Sequence, residues 1–148
     1  MNVLKKILIV EDEGNIFDII NDVMNEPEIK YEFVRARNVS QAKDAYESSN
    51  SHFDCYIVDL QIGSKGLIEE EMVDFFKFEG YAWIKNYVFN SMTNDAKQAF
   101  KKKTIICSKY ITKFQNNYTW EDIEGFKLVH KEPNFKKTMK ILINQICN

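Results

Sequence analysis

Glu11, Asp12 and Glu13 follow directly on the apolar run Ile7-Leu8-Ile9-Val10, and a further acid, Asp59, follows Tyr56-Ile57-Val58. Ser108 closes the run Thr104-Ile105-Ile106-Cys107, and Lys131 closes Lys127-Leu128-Val129-His130. Clustered carboxylates repel one another and favour a hard cation held by oxygen, such as Mg²⁺. Such a cation neutralises an incoming phosphoryl group that a bare aspartate would repel. Asp59 has the chemistry of a carboxylate nucleophile, as in aspartyl-phosphate enzymes. The Ser108 hydroxyl and the Lys131 ammonium suit phosphoryl oxygens, because transfer of this group depends mainly on positioning and charge stabilisation. Taken singly, each residue has an ordinary explanation: acids at a helix start, a turn aspartate, a capping serine, an exposed lysine. What they share is a place at the end of a short apolar run, and that predicts phosphoryl transfer to a carboxylate.

Those runs must be strands for the residues to meet. Lys6–Val10 is apolar without alternation, which suits a strand covered on both faces of a parallel sheet. Tyr31–Ala36, Cys55–Val58, Thr104–Cys107 and Lys127–His130 read as four more. Between them lie helical patterns: Asn15–Asn25, closed by Pro27, and a helix through Ser49 capped by Ser40. Leu67–Phe78, Tyr81–Phe89 and Asp95–Lys102 are three more, whereas Ile111–Trp120 fits helix or loop. Asn134–Ile146 carries an apolar stripe of Phe135, Met139, Leu142, Ile143 and Ile146. Strands alternating with helices predict an α/β domain with right-handed crossovers. In such a sheet the ligand site lies outside the carboxyl ends of the strands, where the acids, Ser108 and Lys131 all fall.

Composition narrows the function classes. Hydrophobic residues make up 45% and charged residues 28%, an ordinary globular balance. Twenty basic against 22 acidic residues leave a formal charge of -2, which argues against direct nucleic-acid binding. No apolar run approaches the ~20 residues that span a bilayer, so no membrane insertion is expected. The three cysteines, Cys55, Cys107 and Cys147, form no CxxC pair and read as buried reduced thiols, pointing to the cytoplasm. His52 and His130 lack metal-ligand spacing. With five glycines, two prolines and no linker, residues 1–148 read as one domain.

On Ile7–Glu13, Tyr56–Leu60, Ile105–Ser108 and Val129–Lys131 the chain resembles the bacterial response-regulator receivers of two-component phosphorelays. The resemblance implies a flavodoxin-like (CheY-like) three-layer sandwich, a five-stranded parallel sheet with helices on both faces. It implies phosphorylation on Asp59, with Ser108 and Lys131 assisting. It further implies Mg²⁺ held by Asp12, Asp59 and the backbone carbonyl of Gln61, with Glu11 acting directly or through water. A histidine kinase or phosphotransfer protein would be the donor, and a downstream protein the recipient of the signal, with self-association left open. The domain would be a signalling phosphoacceptor, not a turnover enzyme beyond its own phosphorylation and dephosphorylation. With the last helix closing the chain, a stand-alone receiver without an output domain is expected.

The chain also departs from the family pattern. Gly80–Lys85 resembles the start of the family's third helix but lies far from Asp59, which implies an insertion around residues 64–79. An alternative alignment gives Gly66 that role. The family's aromatic switch position, which couples to the Ser108 hydroxyl, is occupied by Leu128, with Phe126 nearby. Lys109 follows Ser108 where a small residue is common. Two other readings compete: a phosphorylation-independent interaction module on the same fold, and a Mg²⁺-dependent phosphohydrolase. The latter fits less well, because such enzymes often place an aspartate pair after the first strand.

Overall fold

The computed structural model describes residues 3–24, 29–48, 53–62, 78–133 and 135–148. Five strands, β1 (Val3–Val10), β2 (Ile29–Ala36), β3 (Cys55–Val58), β4 (Thr104–Ser108) and β5 (Lys127–His130), form one sheet in the order β2-β1-β3-β4-β5. Every ladder is parallel. This is the expected flavodoxin-like α/β sandwich. Its strand order reverses between β1 and β3, opening a crevice at their carboxyl ends.

Helices cover both faces because the strands are apolar on both. On one face Ile7, Ile9, Cys55, Ile57, Ile105, Cys107 and Val129 pack against α1 (Gly14–Val23) and α7 (Phe135–Cys147). On the other, Leu8, Val10, Tyr56, Val58 and Ile106 meet the remaining helices. These are α2 (Val39–Ser48), α3 (Glu79–Ala82), α4 (Asn94–Lys102), α5 (Ile111–Asn117) and α6 (Trp120–Ile123). The three cysteines are free thiols and all are buried, as the sequence led us to expect. Among the described residues no helix is long and apolar enough to cross a membrane.

Several elements refine the sequence reading. The helix expected to be capped by Ser40 is capped two positions earlier, by Asn38, whose Oδ1 accepts the Gln41 N–H at 2.9 Å. Ser40 instead sits inside the first turn of α2, because asparagine is as good an acceptor as serine and reaches the same orphan donor. The ambiguous stretch after Ile111 is two short helices. Thr119 and Asp122 bond each other's backbone N–H groups in a capping box that starts α6. Gly125, at φ 101, then turns the chain into β5. The helix after Gly80 is not uniform: α3 runs into a π-helical turn (Trp83–Tyr87) and a 3-10 turn (Val88–Ser91). That change of pitch lets Trp83, Ile84 and Val88 all face the core.

The expected helix Leu67–Phe78 lies outside the described residues except at its last position. Phe78 is buried and packs edge-on against Phe114, with ring centroids 6.0 Å apart. Gly80 lies at the end of β3: its N–H donates to the Leu60 carbonyl at 3.0 Å. A Cβ on Gly80 would sit 1.9 Å from the Asp59 carbonyl oxygen and 2.9 Å from Val58 Cγ1. Only a residue without a side chain lets α3 begin this close to the strand.

Candidate functional site

The strand ends bring Glu11, Asp59 and Lys131 together. Glu11 leaves β1 and is 3% exposed; Asp59 leaves β3 and is 5% exposed. Lys131 leaves β5, and its ammonium bridges the two carboxylates, 2.8 Å from Glu11 Oε2 and 2.6 Å from Asp59 Oδ2. Backbone donors hold the remaining oxygens. The Glu13 N–H donates to Glu11 Oε1 at 3.1 Å and the Gln61 N–H to Asp59 Oδ1 at 3.3 Å. Buried ion pairs of this kind contribute little net stability, but breaking one is costly.

The charge count at this cluster is unbalanced. One ammonium faces two buried carboxylates, so a negative charge is left over. Burial pushes the Glu11 carboxyl up to about 8, and the Asp59 charge adds to the push against the opposing Lys131 contacts. Burial by itself disfavours the Lys131 ammonium, but Asp59 and Glu11 outweigh it and hold its proton more firmly than in water. The surplus charge calls for a proton or for a cation. Glu11, Asp12 and Glu13 each offer a carboxylate oxygen within 4.8 Å of one another, and Glu11 shares the Lys131 ammonium with Asp59. An all-oxygen, anionic donor set of this kind fits a hard divalent ion.

A pH dependence follows. Unfolded glutamate loses its proton near 4.5, whereas folded Glu11 keeps its own to about 8. Between these values the folded chain binds more protons than the unfolded one, so stability falls as pH rises. The slope approaches about 1.4 kcal/mol per pH unit. Denaturant midpoints in metal-free buffer should decline between about pH 5 and about pH 8. The decline should shrink in Asp59→Asn, which removes the neighbouring charge. A flat profile would mean that Glu11 stays ionised throughout.

The other expected site residues divide. Ser108 is fully buried at the end of β4, where its Oγ accepts the Tyr110 N–H at 3.1 Å. Its carbonyl accepts the Lys131 N–H at 3.1 Å, which locks the β4 and β5 exits together. Asp12 and Gln61 are exposed. Leu128 is partly buried and packs against the core cluster that includes Phe126 and lies under α3, α5 and α6. Lys109 is solvated and its ammonium lies 3.9 Å from Glu13 Oε1. His130 is exposed, while His52 lies outside the described residues.

Two residues were not anticipated. Arg35 on β2 donates from Nε to the Glu11 carbonyl (3.2 Å) and from Nη2 to the Asp12 carbonyl (3.0 Å), with its guanidinium over the Phe17 ring. It fastens the acidic loop to the edge strand. A cation next to the last position of the strand, two residues before Arg37, was the available signal. Glu79, on the first turn of α3, is 5% exposed and its Oε2 has no hydrogen-bond partner. An unsatisfied buried acceptor costs on the order of 1–3 kcal/mol, more when charged. The sequence reading placed Glu79 in the inserted run, where an acid between Phe78 and Gly80 was its only mark.

No protein-family model and no curated protein matches the sequence. Solved structures do match. A sensor protein from Polaromonas sp. JS666 is similar at 12% identity and TM-score 0.63, over 97% of this chain and 95% of that one. The phosphorylated cyanobacterial phytochrome response regulator RcpA is similar at 17% identity and TM-score 0.63, over 97% and 91%. Response regulator TrrA from Thermotoga maritima, solved with Mg²⁺-BeF, is similar at 20% identity and TM-score 0.62, over 96% and 98%. Likeness along nearly the whole of each chain, at such low identity, is likeness of fold: this chain carries the fold of the response-regulator receiver domains.

Proposed function

We propose that this protein is a phosphorelay receiver that accepts a phosphoryl group on Asp59 in a Mg²⁺-dependent reaction and signals through protein contacts. The observation that carries this reading is the Lys131 ammonium joining Asp59 and Glu11 at the switch point of the sheet. A histidine kinase or phosphotransfer protein is the proposed donor. Free, buried thiols are in keeping with a reducing compartment such as the cytoplasm. The contact between Gly80 and Leu60 supports placing the family-atypical extra residues before Gly80, near 64–79, within one receiver unit.

Mg²⁺, when held by Glu11, Asp12, Asp59 and the Gln61 carbonyl, supplies the positive charge that lets an anionic phosphoryl group approach a carboxylate. A carboxylate oxygen of Asp59 attacks phosphorus and forms the acyl-phosphate bond. The bond from phosphorus to the donor's leaving group breaks, and the leaving group keeps the electron pair. Lys131 moves from the Asp59 oxygen to a phosphoryl oxygen. Ser108 accepts from the Tyr110 N–H, so its own O–H is available to donate to another phosphoryl oxygen. With Leu128 at the aromatic switch position, the readout passes through an aliphatic side chain packed against the core cluster that includes Phe126.

Intact mass after incubation with acetyl phosphate and Mg²⁺ tests this. One added phosphoryl group is expected, absent in Asp59→Asn and when the cation is chelated. The burial of Asp59 and its bond to Lys131 favour a second reading, an interaction module that works without phosphorylation. A folded wild-type chain that takes no adduct would decide for that module. Sustained phosphate release over many turnovers would decide for a phosphohydrolase.

A further inference from the structure

Glu79 is the buried acid that the chemistry above does not use. It lies on the turn that Gly80 presses against the Asp59 carbonyl, so its backbone is held at the rim where Asp59 emerges. Its side chain is almost wholly out of solvent, yet Oε2 meets no donor. Burial raises the proton affinity of this carboxyl. The N–H groups of Glu79 itself and Ile62 oppose that, and the nearby Asp12 and Asp59 charges reinforce it. A carboxylate oxygen that is desolvated, unpartnered and within the field of the Asp12 and Asp59 charges is poorly placed for any neutral structural role. Lys131 is already shared by Glu11 and Asp59.

We propose that Glu79 supplies a further oxygen, directly or through a bound water, to the divalent cation held by Glu11, Asp12 and Asp59. The inference rests on the cation reading of the site but not on phosphorylation. It gives the orphan oxygen a partner and makes the first turn of α3 part of the cation site. Cation binding would then tie the start of α3 to the ends of β1 and β3.

The test uses Mn²⁺, whose free form is counted by electron paramagnetic resonance, with the full chain and no phosphoryl donor. Glu79→Gln keeps the shape and removes the charge; Glu121→Gln, on the exposed face of α6, removes the same charge away from the site. Glu79→Gln should bind Mn²⁺ at least about tenfold more weakly, in line with losses seen when metal-site support is removed. Glu121→Gln should bind like wild type. In the metal-free state Glu79→Gln should unfold no more easily than wild type, since a buried charge is gone, while gaining less thermal stability from Mn²⁺. Equal affinity in wild type and Glu79→Gln would overturn the proposal. So would an equal loss in Glu121→Gln, which would reduce the effect to net charge. If wild type itself binds no Mn²⁺, the cation reading fails, and this inference with it. If Glu79→Gln does not fold, Glu79→Asp, with the carboxylate drawn back by one methylene, should still show the weakened affinity.

Discussion

Lys131→Met loses about 3–5 kcal/mol of stability at pH 8, because it leaves Glu11 and Asp59 facing each other across a buried site with no cation between them. The loss is not a matter of packing, since methionine fills much the same volume as the lysine stem. Glu11, already pushed up by burial, then loses the Lys131 contacts that oppose the push and holds its proton to still higher pH in the folded state. Stability therefore recovers as pH falls and Glu11 takes up its proton. Urea midpoints at about pH 8 and about pH 5 read this directly, with a large deficit at the first and a small one at the second. Adding Asp59→Asn to Lys131→Met should return much of the deficit, since contacting residues of one network do not act additively. A Lys131→Met protein as stable as wild type at pH 8 would mean that the carboxylates were never a charged pair in the folded chain.

Gly80→Ala is the second large effect, with an expected loss of about 3 kcal/mol or more, at the top of the range for forcing extra atoms into a packed site. No left-handed backbone is involved here; the constraint is space. The added methyl would meet the Asp59 carbonyl and Val58 at distances that no real contact adopts. Relief requires α3 to lift from β3, which also weakens the Gly80–Leu60 bond and the burial of Trp83 and Ile84 behind it. Denaturant unfolding measures the cost. A change within about 0.5 kcal/mol, the size of an ordinary surface substitution, would show that α3 does not start against Asp59.

Four of the strands were legible as short, largely apolar runs, each ended by a chemically distinctive residue. Cys55–Val58 and Lys127–His130 are strands with the bounds expected. The parallel, helix-covered sheet followed from the unalternating apolar runs Ile7–Val10, Cys55–Val58 and Ile105–Cys107, since an antiparallel sheet facing water would alternate. The meeting of Glu11, Asp59 and Lys131 was also legible, because strand-end residues of a doubly wound sheet converge whatever lies between them. What could not be read depends on three-dimensional neighbours. Asn38 displaced Ser40 as cap because two equally good acceptors stood two positions apart. The π-helical turn at Trp83–Tyr87 has no local signature and serves the packing of Trp83. Glu79 looked like one more solvated acid, and only the docking of Gly80 buries it. Arg35 gave a faint signal, but its partners are backbone carbonyls, which no side-chain pattern reveals.

The topology also dictates the order in which the molecule can assemble. Among the described residues no strand pairs through a hairpin, so every ladder waits for a loop to close. The outer ladders join Val3 to Ile29 and Ile105 to Lys127, 26 and 22 positions apart. The central ones join Ile7 to Cys55 and Tyr56 to Thr104, each 48 positions along the chain. Longer loops cost more entropy to close, and that cost falls before any contact repays it. Asp59 and Lys131, 72 positions apart, meet only once three strands are in register. The charged cluster is thus a product of folding and does not guide it. Its interactions hold the finished molecule together chiefly by slowing its unfolding.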